Sequence, residues 1–145
     1  MIETKLSVKE IERIIVAYLG GVRTNIIVPN LSWGFLNHEA DLIAVDKNGY
    51  LTEVEIKRSF EDFKADFKKD NYHDTDERVF RFGYFVPKLI LKECIEYNNE
   101  HCKGVTFNDK PYSVFGFTDD GKVYNEEAYI LLFLIQTIPE VVNYS

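Results

Sequence analysis

Apolar and polar residues change period several times along the chain, and each change marks an element. Val8, Ile11, Ile15, Tyr18 and Leu19 recur at three- and four-residue spacing, the stripe of an amphipathic helix. Ser7 stands at the N-cap position with Glu10 three residues later, a capping box, and Gly20-Gly21 ends the helix. Thr24 to Val28 reads as a short strand, and Pro29 to Asn37 as a loop holding the only tryptophan, Trp33. The period then drops to two. Ala40, Leu42, Ala44, Val54 and Ile56 are even-numbered, while Glu39, Asp41, Glu53, Glu55 and Lys57 are odd. Side chains alternate across a strand, so this stretch predicts two strands with one oily face and one face that collects carboxylates and a lysine.

Lys47-Asn48-Gly49 suits a three-residue hairpin loop in which a type I turn ends on a left-handed glycine, so that Asp46 faces Tyr50. Carried outward, that register sets Asp41 opposite Glu55 and Glu39 opposite Lys57, with facing Cβ atoms about 4.5 to 5.5 Å apart. Ser59 can cap a helix from Phe60 to Asp70, with Phe60, Phe63 and Phe67 inward and Lys64 and Lys68 on a ridge. Val79 to Val86 reads as a central strand ended by Pro87. A helix follows from Lys88 to Asn98, carrying Leu89, Ile90, Cys94 and Ile95, and then strands at Val105 to Phe107 and Tyr112 to Phe117 with a turn at Asp120-Gly121. The last helix, Glu126 to Ile138, is apolar all round from Ile130 to Ile135, which implies either an interior position or a homodimer interface. The order of elements predicts an α/β fold, a central mixed β-sheet flanked by helices.

Two carboxylates facing each other repel unless a cation stands between them. Asp41 and Glu55 offer oxygen ligands, which suit a hard ion such as Mg2+ or Mn2+. Lys57, two residues on from Glu55, points to the same place and can stabilise negative charge developing on a phosphate. The bland reading is a salt-bridge network on an edge hairpin, worth at most about 1 kcal/mol. Apolar residues flanking the charges on both strands argue against an exposed edge.

Asp41, a short hairpin and then Glu55-Ile56-Lys57 resemble the PD-(D/E)XK nuclease superfamily, whose motif is an Asp followed across a hairpin by an acidic residue, any residue and Lys. Ala40 stands where the motif has Pro. The likeness continues through Glu-Ile-Lys-Arg-Ser-Phe-Glu-Asp-Phe-Lys-Ala-Asp-Phe-Lys-Lys, Tyr72 and Tyr-Phe-Val-Pro at 84 to 87, and over residues 38 to 87 is similar to the MmcB-like DNA repair branch. The resemblance implies a restriction-endonuclease-like core and a metal-dependent endonuclease acting on DNA, in repair or phage DNA processing. It implies Mg2+ or Mn2+ held by Asp41, Glu55 and the main-chain carbonyl of Ile56, with Lys57 catalytic. Glu12 matches the first-helix acid that such proteins often add to the site; its other reading is a solvated helix glutamate. Glu39 is either the ion-pair partner of Lys57 or an accessory metal ligand. Arg58, Lys64, Lys68 and Lys69 are the expected phosphate contacts, with Tyr72 and His73 as secondary candidates. Trp33 and Phe35 either stack on a nucleobase or cover the edge of the core. The alternative function is a noncatalytic DNA- or protein-binding module on the same scaffold.

At 145 residues the chain is expected to form one domain, with 46% hydrophobic and 28% charged residues as in ordinary soluble proteins. The first residues read as charged, not as a signal peptide, and Tyr129 to Ile135 is far shorter than the roughly 20 residues that span a bilayer. A cytoplasmic protein with no membrane partner is the expectation. Two cysteines, Cys94 and Cys102, and three scattered histidines, His38, His73 and His101, give zinc little support. A net charge of −7 argues against an indiscriminate nucleic-acid coat. The basic residues from Arg58 to Lys69, followed by Arg78 and Arg81, nevertheless gather beside the acidic hairpin.

Overall fold

A computed structural model describes residues 3–23, 25–31, 40–67, 79–101 and 113–125. The elements in order are α1 (Val8–Tyr18), β1 (Asn25–Leu31), β2 (Ala40–Asp46), β3 (Leu51–Ile56), α2 (Phe60–Asp66), β4 (Val79–Pro87), α3 (Leu91–His101), β5 (Ser113–Phe117) and β6 (Val123–Tyr124), with a single 3-10 turn, Lys88–Ile90, leading into α3. The strands form one six-stranded sheet in sequence order. β1, β2 and β3 pair antiparallel, β3, β4 and β5 parallel, and β5 and β6 antiparallel. This is an α/β fold around a mixed sheet, as the element order predicts. The parallel pairs need crossovers, and α2 and α3 lie within them.

Helices cover both faces. The capping box forms at α1, where Ser7 Oγ accepts the Glu10 amide at 3.2 Å and Glu10 Oε2 accepts the Ser7 amide at 2.8 Å. Ile11 and Ile15 of α1 then bury against Leu42, Ala44, Val54, Phe85 and Phe117 on one face. Val8 and Tyr18, at the ends of the expected stripe, stay exposed. On the other face Phe63 of α2 and Leu91, Cys94 and Ile95 of α3 pack on Phe82, Tyr84, Val86 and Val114. The odd-numbered face of the hairpin is therefore not an outer, polar one: Ile43 and Leu51 are buried there with Val79. Among the described residues no helix is long and apolar enough to cross a membrane.

Three boundaries differ from expectation. β1 runs on through Pro29, paired with Leu42, to Leu31; among the described strands β1 lies at the edge of the sheet, where a residue without an N–H can be accommodated. The turn Lys88–Ile90 winds tighter than an α-helix and leaves Leu89 exposed instead of buried. α2 is seven residues long, ending at Asp66 rather than Asp70. The expected strand at 105–107, the last helix at 126–138 with its proposed dimer face, Trp33, Phe35 and Cys102 lie outside the described residues.

Candidate active site

The hairpin has the register that its turn predicts. Val45 pairs with Leu51, Ala44 with Thr52, Ile43 with Glu53 and Leu42 with Val54, and the Asp46 amide donates to the Tyr50 carbonyl at 3.0 Å. Gly49 adopts φ +84°, which glycine reaches without strain, and the Asp46 carboxylate accepts the Asn48 and Tyr50 amides at 2.9 and 3.0 Å.

The ladder stops at Leu42 and Val54. In the same register Ile56 would next exchange main-chain bonds with Ala40; instead its N–H donates to Asp41 Oδ2 at 2.8 Å. A residue bonded within an antiparallel ladder turns its N–H and C=O to the same side. The Ile56 carbonyl is thus on the β2 side of β3, the side from which Asp41 reaches in. Asp41 itself is half-buried. The expected pairing of Asp41 with Glu55 would lie one step past the last rung and is not part of the ladder; Glu55 directly precedes Ile56 on β3, its side chain on the face of Tyr84, with which it is paired across β3 and β4.

Lys57 lies just past β3, its amide bonded to the Phe85 carbonyl at 3.0 Å, so the strand's direction continues for one more residue. Its ammonium is buried and 3.2 Å from Asp66 Oδ1 on α2, while the Tyr84 hydroxyl donates to Asp66 Oδ2 at 2.5 Å. Ser59 starts α2 by accepting the Asp62 amide at 3.1 Å, which aims the helix so that Asp66, seven residues on, returns over the sheet beside Tyr84. Burial alone would lower the lysine pKa, but the carboxylates of Asp66, then Asp62 and Glu55, outweigh it and hold the pKa above its ordinary value. Lys57 is therefore a cation at any physiological pH.

Glu53, Glu55, Lys57 and Asp66 are 0%, 8%, 7% and 6% exposed. Charged side chains this deep are rare unless paired or coordinated, which removes the reading of an exposed edge network. Asp66 and Tyr84 were missing from the sequence-based site. Asp66 could have been found: it falls three residues after Phe63 on the helix's buried stripe, where a carboxylate needs a partner.

The other expected site residues fall as follows. Glu12 is half-buried on α1, over the sheet face of Leu42 and Val54, and is not gathered with Asp41 and Glu55. Arg58 turns toward the N-terminal segment: Nη2 donates to the Leu6 carbonyl at 2.9 Å, the Arg58 carbonyl accepts the Glu3 amide at 2.9 Å, and Nε is buried without a partner among the described residues. The Lys64 ammonium stands 4.6 Å over the Phe60 ring, a cation–π contact on α2. Glu39, Lys68, Lys69, Tyr72 and His73 lie outside the described residues.

Among the described residues no three His, Cys, Asp or Glu side chains converge on one point. Mg2+ does not need them, because it keeps several waters and is commonly held by one or two carboxylates with substrate phosphate. Asp41, Glu55 and the Ile56 carbonyl form an all-oxygen donor set, which fits such an ion and not a thiolate- or imidazole-seeking one.

No curated protein and no solved structure matches the chain. The family model described as DNA repair protein MmcB-like matches residues 5–95, more than half of the chain. That span holds α1, β1, the hairpin, α2 and β4, and with them Asp41, Glu55, Lys57, Asp66 and Tyr84. The chain belongs to the MmcB-like DNA repair protein family.

Proposed function

We propose that the chain is a metal-dependent DNA nuclease with its centre at the end of β3. The observation that carries this reading is the contact between the Asp41 carboxylate and the Ile56 amide, which ties one acidic residue beside the Glu-x-Lys triplet at the point where the sheet opens. Asp41, Glu55 and the Ile56 carbonyl would hold Mg2+ or Mn2+. The ion supplies charge neutralisation at the scissile phosphate and acidifies water. Lys57 brings a permanent positive charge in low-dielectric surroundings, where it stabilises the extra negative charge of a phosphate under attack far better than an exposed lysine could. Its own amide, fixed to Phe85, keeps the main chain from drifting as that charge develops. Lys64 and the basic residues that follow it would contact the backbone of the DNA without reading its sequence.

A noncatalytic DNA-binding module on the same scaffold is favoured by one observation, the engagement of the Lys57 ammonium with Asp66 inside the protein. The two readings separate in one experiment. Duplex, nicked, flapped, single-stranded and four-way DNA are incubated with Mg2+ or Mn2+, beside Asp41→Asn and Lys57→Ala. Cleavage by the parent and not by the variants supports the nuclease; DNA binding without cleavage on every substrate supports the module.

A further inference from the structure

Lys57 has four methylenes and free rotation about each, so its ammonium needs something to hold it. Three features on the α2 face of the sheet do so. Asp66 Oδ1 lies 3.2 Å from Lys57 Nζ, and the second oxygen of the same carboxylate takes the Tyr84 hydroxyl at 2.5 Å, so the carboxylate is gripped on both sides. The Tyr84 ring is 1% exposed and packed edge-on against Phe63 and Phe82, with Phe67 stacked on it, which leaves the hydroxyl little room to move. Asp66 belongs to a helix whose cap is built from Ser59, two residues after Lys57. Lysine and carboxylate thus meet through both the chain and the sheet.

A buried ion pair as a source of stability is poor design, because an apolar pair of the same volume often does as well or better. Retaining one beside a carboxylate that faces the sheet opening points to a use for its geometry. We propose that Asp66 is a positioning residue that fixes where the Lys57 ammonium stands relative to Asp41 and Glu55, and that the Tyr84 hydroxyl in turn fixes Asp66. Lys57's catalytic role is taken from the nuclease reading; its placement by Asp66 is not.

The test uses the full chain carrying Asp66→Asn, Tyr84→Phe, Lys57→Ala or Lys57→Ala with Asp66→Asn. Tyr84→Phe keeps the ring and removes one oxygen, so it carries the test should Asp66→Asn not fold. Limiting acetic anhydride is applied to each folded variant that retains Lys57, and acylation of that residue is read by peptide mass spectrometry. Lys57 should be protected in the parent, and acylated several-fold faster in Asp66→Asn and to a lesser degree in Tyr84→Phe. In metal-activated cleavage, kcat should fall roughly a hundred-fold in Asp66→Asn and roughly ten-fold in Tyr84→Phe with KM unchanged, as for a misplaced group. The double variant should be no slower than Lys57→Ala, since Asp66 acts only through Lys57. Unchanged Lys57 acylation, or losses that multiply in the double variant, would overturn the assignment. A parent that cleaves nothing would end the nuclease reading alone, because the acylation measurement still decides what Asp66 does.

Discussion

Asp41 Oδ2 accepts the Ile56 amide at 2.8 Å, a side chain taking the place of a rung of the sheet. The proposed function asks the same carboxylate to hold a cation as well as the amide, and the two tasks can be separated by substitution. Asp41→Asn keeps an oxygen for the amide but loses the charge. The parent's melting temperature should rise with millimolar Mg2+ or Mn2+, by the equivalent of about 2.7 kcal/mol at a hundred times Kd, and Asp41→Asn should fold without that response. Asp41→Ala should in addition lose about 1 to 2 kcal/mol of urea stability, because a partly buried N–H is left without its partner. Calorimetry that finds no divalent binding by the parent would remove the metal from this site.

Lys57→Ala should cleave poorly and also unfold more easily. Its ammonium neutralises the buried Asp66, and removing one member of a buried pair costs about 3 to 5 kcal/mol. Lys57→Met with Asp66→Leu and Tyr84→Phe should recover most of that stability and none of the activity. Chemical denaturation beside a cleavage assay tells the two apart; recovered activity would mean that Lys57 has no chemical part.

Replacing Lys64, Lys68 and Lys69 together with Gln should weaken DNA binding about equally for every sequence. Each lost phosphate contact should flatten the slope of log affinity against log salt by about 0.9 on duplex. A slope that does not move would make these lysines a solvated face, with Lys64 serving only its contact on Phe60.

Cys94 is buried on the inner face of α3, and burial, aided by Glu93, pushes its thiol up to about 12 from 9.0. Iodoacetamide at pH 8 should therefore leave residue 94 unmodified in the native protein and alkylate it after unfolding, as peptide mapping will show. The folded pKa is raised, so the neutral thiol's contribution is fully present below pH 9 and is lost as pH rises toward 12. Lys57 acts in the same sense from 10.5 upward. Stability measured between pH 9 and 12 should fall, and Cys94→Ala should fall less steeply over the first half of that range.

What could be read in advance follows from where the determining forces are local. The register of β2 on β3 came from Lys47-Asn48-Gly49 because a three-residue loop permits one pairing, and the start of α1 came from Ser7 and Glu10, which bond to each other's amides. The Asp120-Gly121 turn was legible for the same reason, with Gly121 at φ +91° and the Thr118 amide on the Lys122 carbonyl. Asp66 was legible only as a carboxylate on the buried stripe of α2; its partner was not, because Tyr84 comes from a strand on the far side of a crossover. The burial of Ile43 and Leu51 escaped notice likewise: alternation describes one hairpin, whereas Val79 and Val28, which bury them, come from β4 and β1. Pro29 stopped β1 on paper only, since the rule against proline in strands applies to strands with neighbours on both sides.

The N-terminal segment gives the site an unexpected dependence on distance along the chain. Glu3 and Leu6 hold Arg58, the residue after Lys57, and Thr4 Oγ1 donates to Asp119 at 2.7 Å. Synthesis runs from the N-terminus, so residues 3 to 6 emerge before residues 58 and 119 and find their partners only once those have followed. The segment before α1 is therefore fastened late, once β5 has followed, although it is made before the strands it secures. A cut or fusion that disturbs residues 3 to 6 would return the finished protein to that immature condition, through a segment that shares no sequence neighbourhood with the residues it secures.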